Sequence, residues 1–441
     1  MGDIRYDGGM NIRKIVKGFI PTGLFKNIEP FGHLLEAVFY NVIYGFPGRK
    51  FKVIGVTGTN GKTTTTFMIH RMLVEAGHNA GMMTTVAYGA GNDIRQQTYH
   101  MTNVPVPALM KRLKWMKQQG VEELVLETTS HALAQNRVWG VPYSVAVMTN
   151  VTHEHLDYHG TFENYRDAKR KMFLLADKNK KGLRTGIVNT DDDSSPLFAS
   201  DVLHPVGYGT KTGHVTAQDV QLTPAGSKYT AVAGDDRYDI VCNIPGSFNV
   251  ANSLAAVAAG RVLGLDKQQI EQGIAALEGV EGRMTRVDEG QDYDVIVDFA
   301  HTPDSFEKLF KDLRPVVKGK LIVMFGSAGR RDEAKRAVQG KLAGEYADEV
   351  VVTEEDDRDI DGIEIMNQIA EGVESAGKVR EKDLFLVHDR TEAIKFALGR
   401  ASKGDTVLLL GKGHEKTIER ANGENPWDEI ATTHQAVKDR I

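Results

Sequence analysis

The chain has 441 residues, of which 41% are hydrophobic and 26% charged, a composition typical of a globular protein with roughly three domains. Its net charge of -5 gives no indication of nucleic-acid binding or of a polybasic membrane anchor. The single cysteine, Cys242, excludes a disulfide framework within the chain and favours a reducing cytoplasm. We expect no signal peptide, and no run of about eighteen apolar residues predicts a transmembrane helix.

Residues 1–50 are predicted to form a short helical arm. Basic and apolar side chains are mixed over residues 11–50, and residues 33–44 are apolar over most of a helical surface. The pattern favours an arm that packs on the following domain. The alternative is a helix that lies on a membrane surface, with residues 11–46 placing the protein beside a lipid-linked substrate.

The segment from Val53 to Thr66 predicts a nucleotide site. Apolar residues typical of a strand lead into a glycine-rich loop that ends in Lys-Thr, and a helical pattern follows. Such a loop cradles phosphates with its backbone N–H groups, its lysine reaches the terminal phosphates and its threonine holds Mg²⁺. The strict pattern has glycine where this chain has Val56. The predicted ATP-binding loop comprises Gly58, Thr59, Asn60, Gly61, Lys62, Thr63 and Thr64.

Beyond the loop, strand and helix patterns alternate, which is typical of a parallel sheet. Short apolar runs end in Glu127 and in Asn150, and ligands of parallel sheets bind at the carboxyl ends of the strands. Glu127 is therefore expected to share a Mg²⁺ ion with Thr63. Residues 204–242 alternate and are rich in turn residues, which predicts a small antiparallel insertion.

A cluster of three histidines and two acids follows at residues 153–159. The spacing His-x-His-x-x-x-His is not a zinc pattern, and no cysteine is near. A site for a hard cation with one histidine and carboxylates fits better. The alternative is a polar loop without a metal.

A domain boundary is predicted near residue 282, which divides the chain into the arm, a central domain over 51–282 and a C-terminal domain over 283–441. Beyond the boundary, five apolar strands alternate with helical patterns, which predicts a Rossmann-like unit. The predicted fold class is α/β, with a parallel-sheet P-loop ATPase domain, its small antiparallel insertion and a C-terminal Rossmann-like domain. The five strands are expected at 295–297, 321–325, 350–352, 384–387 and 407–410.

Several motifs, taken together, resemble the Mur ligases of peptidoglycan synthesis. Within that family they are most similar to the UDP-N-acetylmuramoyl-tripeptide synthetases, which add the third, diamino-acid residue. The resemblance covers roughly residues 51–430. The motifs stand at 56–64, 127–131, 155–160, 246–252, 282–283, 297–304, 331–336, 389–390 and 411–415.

The resemblance implies that ATP converts a peptide carboxylate to an acyl phosphate, from which an incoming amine displaces phosphate. Lys62, His155 and a carbamylated Lys169 are the implied catalytic residues. Two Mg²⁺ ions would be held by Thr63, Glu127, His155 and Lys169. The nucleotide would also contact Asn249, Asn252, Arg283, Asp298 and His301. The implied substrate-binding residues are Thr129, Ser130, His131, Arg331, Glu355, Asp356, Arg358, Gly411 and Glu415.

The chain departs from the family pattern at its start. The family carries an N-terminal domain of about a hundred residues that grips the UDP-sugar, whereas only about 50 residues precede the loop here. We therefore expect this domain to be missing or replaced.

Two further departures concern the substrate loops. The signature Asp-Asn-Pro-Arg that selects diaminopimelate is Glu355-Asp356-Asp357-Arg358 here, and the loop Gly-Gly-Asp-Arg-Asp has Arg330 in place of its first acid. The guanidinium of Arg358 suits a distal carboxylate, whereas the added acid favours an amine without one, such as lysine or ornithine. Because Arg331, Arg358, Gly411 and Glu415 all match the family, meso-diaminopimelate is slightly preferred over L-lysine. A milder change is Glu154-His155 in place of Asp-His.

Other functions remain open at this stage. A ligase of the same architecture could extend a glutamate chain or amidate with a glutaminase partner, and its substrate could be lipid-linked or not. A P-loop kinase and a non-catalytic binding module are further alternatives, but intact Lys62, Glu127 and His155 argue against the latter. We expect small-molecule substrates, no nucleic acid, a cytoplasmic location and closure of two domains around the substrate.

Overall fold

The computed structural model describes residues 22–97, 99, 101–223 and 225–441, with the side chains of residues 22–28 and 157 left out. The part of the predicted arm that precedes Thr22 lies outside the described residues. The described residues form two large sheets, a two-stranded hairpin and the helices that cover the sheets.

The first sheet has eleven strands in the order β11-β10-β9-β8-β7-β6-β1-β5-β2-β3-β4. The strands are β1 (Lys52–Thr57), β2 (Ala80–Met83), β3 (Ala87–Ala90), β4 (Asp93–Gln96), β5 (Glu123–Glu127), β6 (Tyr143–Met148), β7 (Thr185–Asn189), β8 (His204–Gly209), β9 (Val215–Thr223), β10 (Gly226–Ala233) and β11 (Asp236–Cys242). From β8 to β2 every neighbouring pair is parallel.

Strand β1 lies at the centre of the first sheet because it is apolar on both faces. Its Ile54 and Val56 belong to one apolar cluster, and Val53 belongs to another on the opposite face. A side chain at Gly55 would collide with Tyr143 and with Met172 of the covering helix, so this helix lies close to the strand. Val56 is opposite Glu127 in the register, and the carboxyl ends of β1 and β5 therefore meet at one edge.

The predicted antiparallel insertion is instead the continuation of the first sheet. Strand β8 pairs in parallel with β7, and only β9, β10 and β11 form antiparallel pairs beyond it. Tyr229, Tyr238 and Ile240 are buried on the face of these strands that joins the main apolar cluster. Burial of this face explains why the segment extends the sheet and does not stand apart from it.

The second sheet contains all five apolar strands that the sequence predicts. Its order is β12-β13-β17-β14-β15-β16, and every pair except β12–β13 is parallel. The predicted α/β fold class, with a central parallel sheet and a C-terminal α/β unit, is confirmed. The strands are β12 (Thr285–Arg286), β13 (Asp294–Asp298), β14 (Leu321–Phe325), β15 (Glu349–Val352), β16 (Leu384–Leu386) and β17 (Thr406–Leu410), followed by the hairpin β18 (Thr417–Arg420) and β19 (Gly423–Pro426).

Helices cover both faces of the two sheets, and none in the described ranges is long and apolar enough to cross a membrane. They are α1 (Thr22–Ile43), α2 (Lys62–Glu75), α3 (Val106–Gln118), α4 (Ser130–Ala134), α5 (Leu156–His159), α6 (Phe162–Lys178), α7 (Ser195–Ala199), α8 (Ser247–Leu263), α9 (Lys267–Ala275), α10 (Pro303–Leu313), α11 (Ala334–Tyr346), α12 (Gly362–Ser375), α13 (Arg390–Arg400) and α14 (Glu429–Lys438), with short 3-10 turns at Pro47–Lys50 and Arg314–Val316.

Candidate active site

Glu127 is the centre of a hydrogen-bonded group at the carboxyl edge of the first sheet. Its side chain is 1% exposed and accepts hydrogen bonds from the Thr63 hydroxyl at 3.0 Å, from the Thr85 N–H at 2.9 Å and from the Thr85 hydroxyl at 3.0 Å. The pairing of Glu127 with Thr63 is expected from the sequence, whereas the contact with Thr85 is not. This threonine follows β2, and the parallel pairing of β2 with β5 brings it to the same edge.

The glycine-rich loop connects β1 to the N-terminus of α2, as the sequence predicts. Gly61 directly precedes α2 with φ 81°, and a Cβ atom there would collide with Asn252. The Lys62 amine folds back over the loop and donates to the Thr59 carbonyl at 2.7 Å. The Thr59 and Asn60 N–H groups donate to the Asn150 backbone carbonyl at 2.7 Å and to its side-chain oxygen at 2.9 Å, which fixes the shape of the loop. The N-terminus of α2 beside it suits an anion.

A group of opposite charges lies beside the loop. Burial would raise the pKa of Glu154, but the positive charges of His155, Lys62, His301 and Lys169 lower it below its usual value. The Glu154 carboxylate is therefore an anion between four basic side chains. The sequence predicts no role for Glu154, which was identified there only as a change from the family pattern.

Lys169 is the most deeply buried of these bases. It projects from α6, is 2% exposed, donates to the Gly58 carbonyl at 2.5 Å and lies 4.4 Å from the centre of the Tyr165 ring. Burial and, to a lesser extent, the charge of Lys62 hold the pKa of Lys169 well below its usual value. A lysine in this environment has a far larger neutral fraction than one on the surface.

Aromatic rings cluster next to the Glu127 edge. The ring of His131 lies 4.7 Å from that of His155, 4.4 Å from that of Tyr158 and 5.3 Å from that of His159. A hydrogen bond of 3.0 Å joins His159 Nε2 to the Ser130 hydroxyl. The predicted residues at 129–131 and His155 are thus brought together, although they come from two separate loops.

The two asparagines predicted to contact adenine lie against the loop. Asn249 donates to the Pro245 carbonyl at 2.6 Å and accepts from Asn252 at 2.8 Å, and Asn252 in turn accepts from the Thr65 hydroxyl at 3.3 Å. Both side chains are buried. Their hydrogen bonds hold the start of α8 against the start of α2, and their contact with a base stays a prediction.

Asp298, Arg283 and His301 lie at the carboxyl end of β13. Burial raises the pKa of Asp298, whose oxygens accept from the N–H groups of Met284 at 2.8 Å and of Ala300 at 2.7 Å. Burial lowers the pKa of Arg283, and the carboxylates of Asp298, Glu127 and Glu415 oppose this shift. Arg283 therefore lies in the electrostatic field of both sheets' edges.

A second group of charges occupies the corresponding edge of the second sheet. Gly411 has φ 103°, and a Cβ atom there would lie 2.6 Å from a Glu355 carboxylate oxygen. Lys412, which the sequence analysis did not select, is 1% exposed and reaches Asp356 at 2.8 Å and Glu415 at 2.6 Å. Burial raises the pKa of Glu415, whereas Lys412 lowers it.

Two predicted arginines flank this second group. Arg358 has φ 57° and donates to Glu419 at 2.7 Å and to the Gly329 carbonyl at 2.5 Å. Arg331 is exposed, and its charge contributes to the lowered pKa of Lys335, for which burial is the largest cause. Arg358 is thus held beside the second group, while Arg331 extends into solvent.

The two edges meet at a short contact between the glycine-rich loop and α10. The Asn60 amide donates to the Asp304 carboxylate at 2.9 Å, and Lys308 binds the same oxygen at 2.9 Å. Among the charges that shift the pKa of His301, after burial and Lys335, are Glu355 of the second edge and Glu154 of the first. The sequence analysis expected the two parts to approach each other but did not identify Asp304.

Comparison with known proteins agrees with this arrangement. Residues 56–260 match the Mur ligase middle domain, and residues 282–413 match the Mur ligase, glutamate ligase domain. A UDP-N-acetylmuramyl-tripeptide synthetase of Roseiflexus sp. (strain RS-1) is 41% identical over 417 residues, covering 89% of this chain and 80% of the relative. A UDP-N-acetylmuramoyl-L-alanyl-D-glutamate–2,6-diaminopimelate ligase of Geobacillus thermodenitrificans is 38% identical, covering 94% and 84%.

A solved structure of a UDP-N-acetylmuramoyl-L-alanyl-D-glutamate–2,6-diaminopimelate ligase shares the fold, with a TM-score of 0.64 and 29% identity. The match covers 88% of this chain and 79% of the chain in the solved structure. The matched family domains together span most of the described chain and contain both edges of the candidate site. The chain therefore belongs to the Mur ligase family and is an ATP-dependent ligase that forms amide bonds.

Proposed function

We propose that this ligase joins a diamino acid to a peptide carboxylate during synthesis of a peptidoglycan precursor. The observation that carries the proposal is the meeting of the two edges, in which Asn60 of the phosphate loop is hydrogen-bonded to Asp304 at the start of α10. The proposed division is an arm over 1–50, an ATP-binding domain over 51–282 and an amino-acid-binding domain over 283–441. The relatives named as tripeptide synthetases support this function.

Oxygen donors at the first edge fit Mg²⁺. The Thr63 hydroxyl and the Glu127 carboxylate are 3.0 Å apart, and hard oxygen ligands of this kind are the ones that Mg²⁺ prefers. We assign Thr63 and Glu127 to one ion, and His155 and Lys169 to a second. Bound there, the ions would neutralise negative charge that develops on the transferring phosphate.

The residues of the loop would bind the ATP phosphates. The amine of Lys62 and the N-terminus of α2 supply the positive potential, and we assign Gly58, Thr59, Asn60 and Gly61 to the loop that surrounds the phosphates. We also assign the Thr64 hydroxyl to the phosphates. The rest of the nucleotide is assigned to Asn249, Asn252, Arg283, Asp298 and His301. The charge of Glu154 interacts with those of Lys62, His155 and His301, which we propose keeps these bases next to the loop.

Lys169 is proposed to act as a carbamate. Its depressed pKa increases the fraction of neutral amine, which adds to the carbon of carbon dioxide with loss of one proton to solvent. The product is an anion in place of a cation. Because a buried ammonium would repel a metal ion, whereas a carbamate attracts one, this change suits the second metal site.

The second edge is proposed to bind the incoming diamino acid. Glu355, Asp356 and Glu415 offer carboxylates to ammonium groups, and the Arg358 guanidinium offers a partner for a distal carboxylate. Asp356 adds negative charge relative to the family signature, but its 2.8 Å ion pair with buried Lys412 offsets this charge. We therefore propose meso-diaminopimelate as the added amino acid, in preference to L-lysine.

The peptide carboxylate is expected to lie between the two edges. Thr129, Ser130 and His131 would contact the peptide from the first edge, and Arg331 and Gly411 would border the amine from the second. In the reaction the carboxylate oxygen attacks the γ-phosphate of ATP and ADP leaves. The neutral amine then attacks the acyl carbon, phosphate leaves with its bonding electron pair, and the amine loses a proton.

The test measures ADP release with ATP, Mg²⁺, a muramoyl dipeptide and one amine at a time. We expect release that depends on an amine and is fastest with meso-diaminopimelate, together with a product that has gained one amine less one water. Fastest turnover with L-lysine would reject the amine assignment. Turnover with glutamate or ammonia would favour a chain extender or an amidating enzyme, and release without any amine would reject a ligase.

A matched pair of lysine variants controls the experiment. Lys62→Ala removes the loop amine and is expected to abolish ADP release. Lys52→Ala removes an exposed amine at the start of β1, where Lys52 pairs with Glu123 at 3.4 Å, and is expected to retain activity.

Since the cosubstrate is ATP, we propose that the reaction takes place in the cytoplasm on small-molecule substrates.

A further inference from the structure

Helix α1 has an exposed apolar face. Phe31, Leu35, Phe39, Val42 and Ile43 are 68%, 71%, 59%, 62% and 59% exposed, respectively. Their spacing of four, four, three and one residues places them along one side of a helix. Contiguous exposed apolar surface of this kind marks a site that binds another surface. We call these five residues the apolar face of α1.

The opposite side of α1 is fixed to the protein. Ala37 and Asn41 are buried, and the Asn41 amide donates to the Ala37 carbonyl at 2.8 Å and to the Trp139 carbonyl at 3.0 Å. Asn41 occupies the space that a Cβ atom at Gly140 would need. The helix is thus anchored through one side, and the apolar face is directed away from that contact.

Charge identifies what covers the apolar face. Residues 11–50 contain six basic and two acidic residues, although the whole chain has 54 basic and 59 acidic residues. Exposed Arg49 and Lys50 follow the C-terminal end of α1. Both acids, Glu29 and Glu36, approach His33, at 4.0 Å and 3.2 Å. The sequence of the segment therefore combines apolar residues with an excess of basic ones, and the basic side chains that the structure describes are those of Arg49 and Lys50.

We propose that α1 docks the ligase on an anionic lipid surface. The apolar face would enter the boundary between headgroups and acyl chains, while exposed Arg49 and Lys50 contact lipid phosphates. This inference goes beyond the ligase function and does not depend on it.

Vesicle binding tests the proposal with the full chain and without ATP or peptide. We expect co-sedimentation with vesicles of phosphatidylglycerol and phosphatidylcholine, weak binding to phosphatidylcholine alone, and weaker binding at high salt, because salt screens exposed charges. The triple variant Phe31→Gln, Leu35→Gln, Phe39→Gln is expected to lower the partition coefficient by about tenfold or more, since three large apolar side chains are removed.

The control variant replaces three exposed apolar residues that lie outside the apolar face. Val338, Ile363 and Val379 are 49%, 51% and 53% exposed, and their change to glutamine is expected to leave vesicle binding unaltered. Circular dichroism of both triple variants confirms that each is folded. Ligase turnover on a soluble substrate is expected to be unchanged in both.

Three results would overturn the proposal. The first is no binding to anionic vesicles, and the second is equal binding to neutral ones. The third is self-association of the unchanged chain without vesicle binding, together with a monomeric triple variant of the apolar face. Sedimentation equilibrium measures the self-association of both proteins. That last result would assign the face to a second copy of the chain.

Discussion

Replacing Glu127 by glutamine removes one negative charge from the first edge with almost no change in shape. The carboxylate now accepts three hydrogen bonds, from the Thr63 hydroxyl, the Thr85 hydroxyl and the Thr85 N–H. A glutamine oxygen can accept from Thr63 and from the Thr85 N–H, while its NH₂ group donates to the Thr85 hydroxyl. The protein should therefore fold normally, with a loss of stability of about 1 kcal/mol.

The expected effect on activity is much larger than the effect on stability. Loss of one preorganised charged group at a site of developing charge costs about 3–4 kcal/mol, or about 10²–10³ in kcat. Thermal unfolding should shift by less than about 4 °C. The difference arises because the charge acts on Mg²⁺ and phosphate, whereas the hydrogen bonds survive in neutral form.

Amine-dependent phosphate release measures the change in kcat, and calorimetry measures the shift in unfolding temperature. Glu123→Gln is the control, because Glu123 is also buried but begins β5, where it pairs with Lys52 and His78 at 3.4 Å. It should keep at least half of the activity. The reasoning would be refuted by a Glu127→Gln enzyme with more than about a third of normal activity, or by an equal loss in both variants.

Three other predictions follow from the same contacts. Lys169→Ala should abolish turnover, and acetate should restore part of it. Lys171→Ala, which changes an exposed lysine of the same helix, should remain active. If no short carboxylate restores the activity of Lys169→Ala, Lys169 does not act as a carbamate. Asp304→Ala should lower kcat/KM by about tenfold, because its contact with the phosphate loop is lost, whereas Glu307→Ala should not. Equal kcat/KM values for the two variants would show that the contact does not contribute to the reaction. Burial lowers the pKa of His70 to about 4. As pH falls, the His70 imidazole is protonated in the unfolded chain before it is protonated in the folded one, so low pH favours unfolding. The free energy of unfolding, measured by denaturant titration, should therefore drop by about 2 kcal/mol between pH 7 and 5, and His70→Gln should remove that dependence.

Local sequence was sufficient for much of the fold. The apolar runs at 321–325 and 407–410 are buried parallel strands because every one of their residues is apolar. The loop before Lys62 was predicted because glycine and Lys-Thr stand in a fixed order along a short stretch of chain. Such features need no knowledge of which elements are neighbours in space.

Features that depend on neighbours in space were missed. Thr85 joins Glu127 only because β2 pairs with β5, and alternation within 204–242 does not reveal that β8 pairs with β7. Asp304 meets Asn60 although the two lie 244 residues apart in the chain. The pairing of Lys412 with Asp356 likewise required the second sheet to be assembled.

The most direct measurement of the central claim follows an oxygen atom. The peptide substrate is prepared with ¹⁸O in the carboxylate that is to be joined, and phosphate released during turnover with ATP and meso-diaminopimelate is analysed by mass spectrometry. An acyl phosphate formed at the Lys62 loop predicts one ¹⁸O atom in each released phosphate. Unlabelled phosphate accompanied by amide product would contradict activation of the carboxylate by phosphoryl transfer.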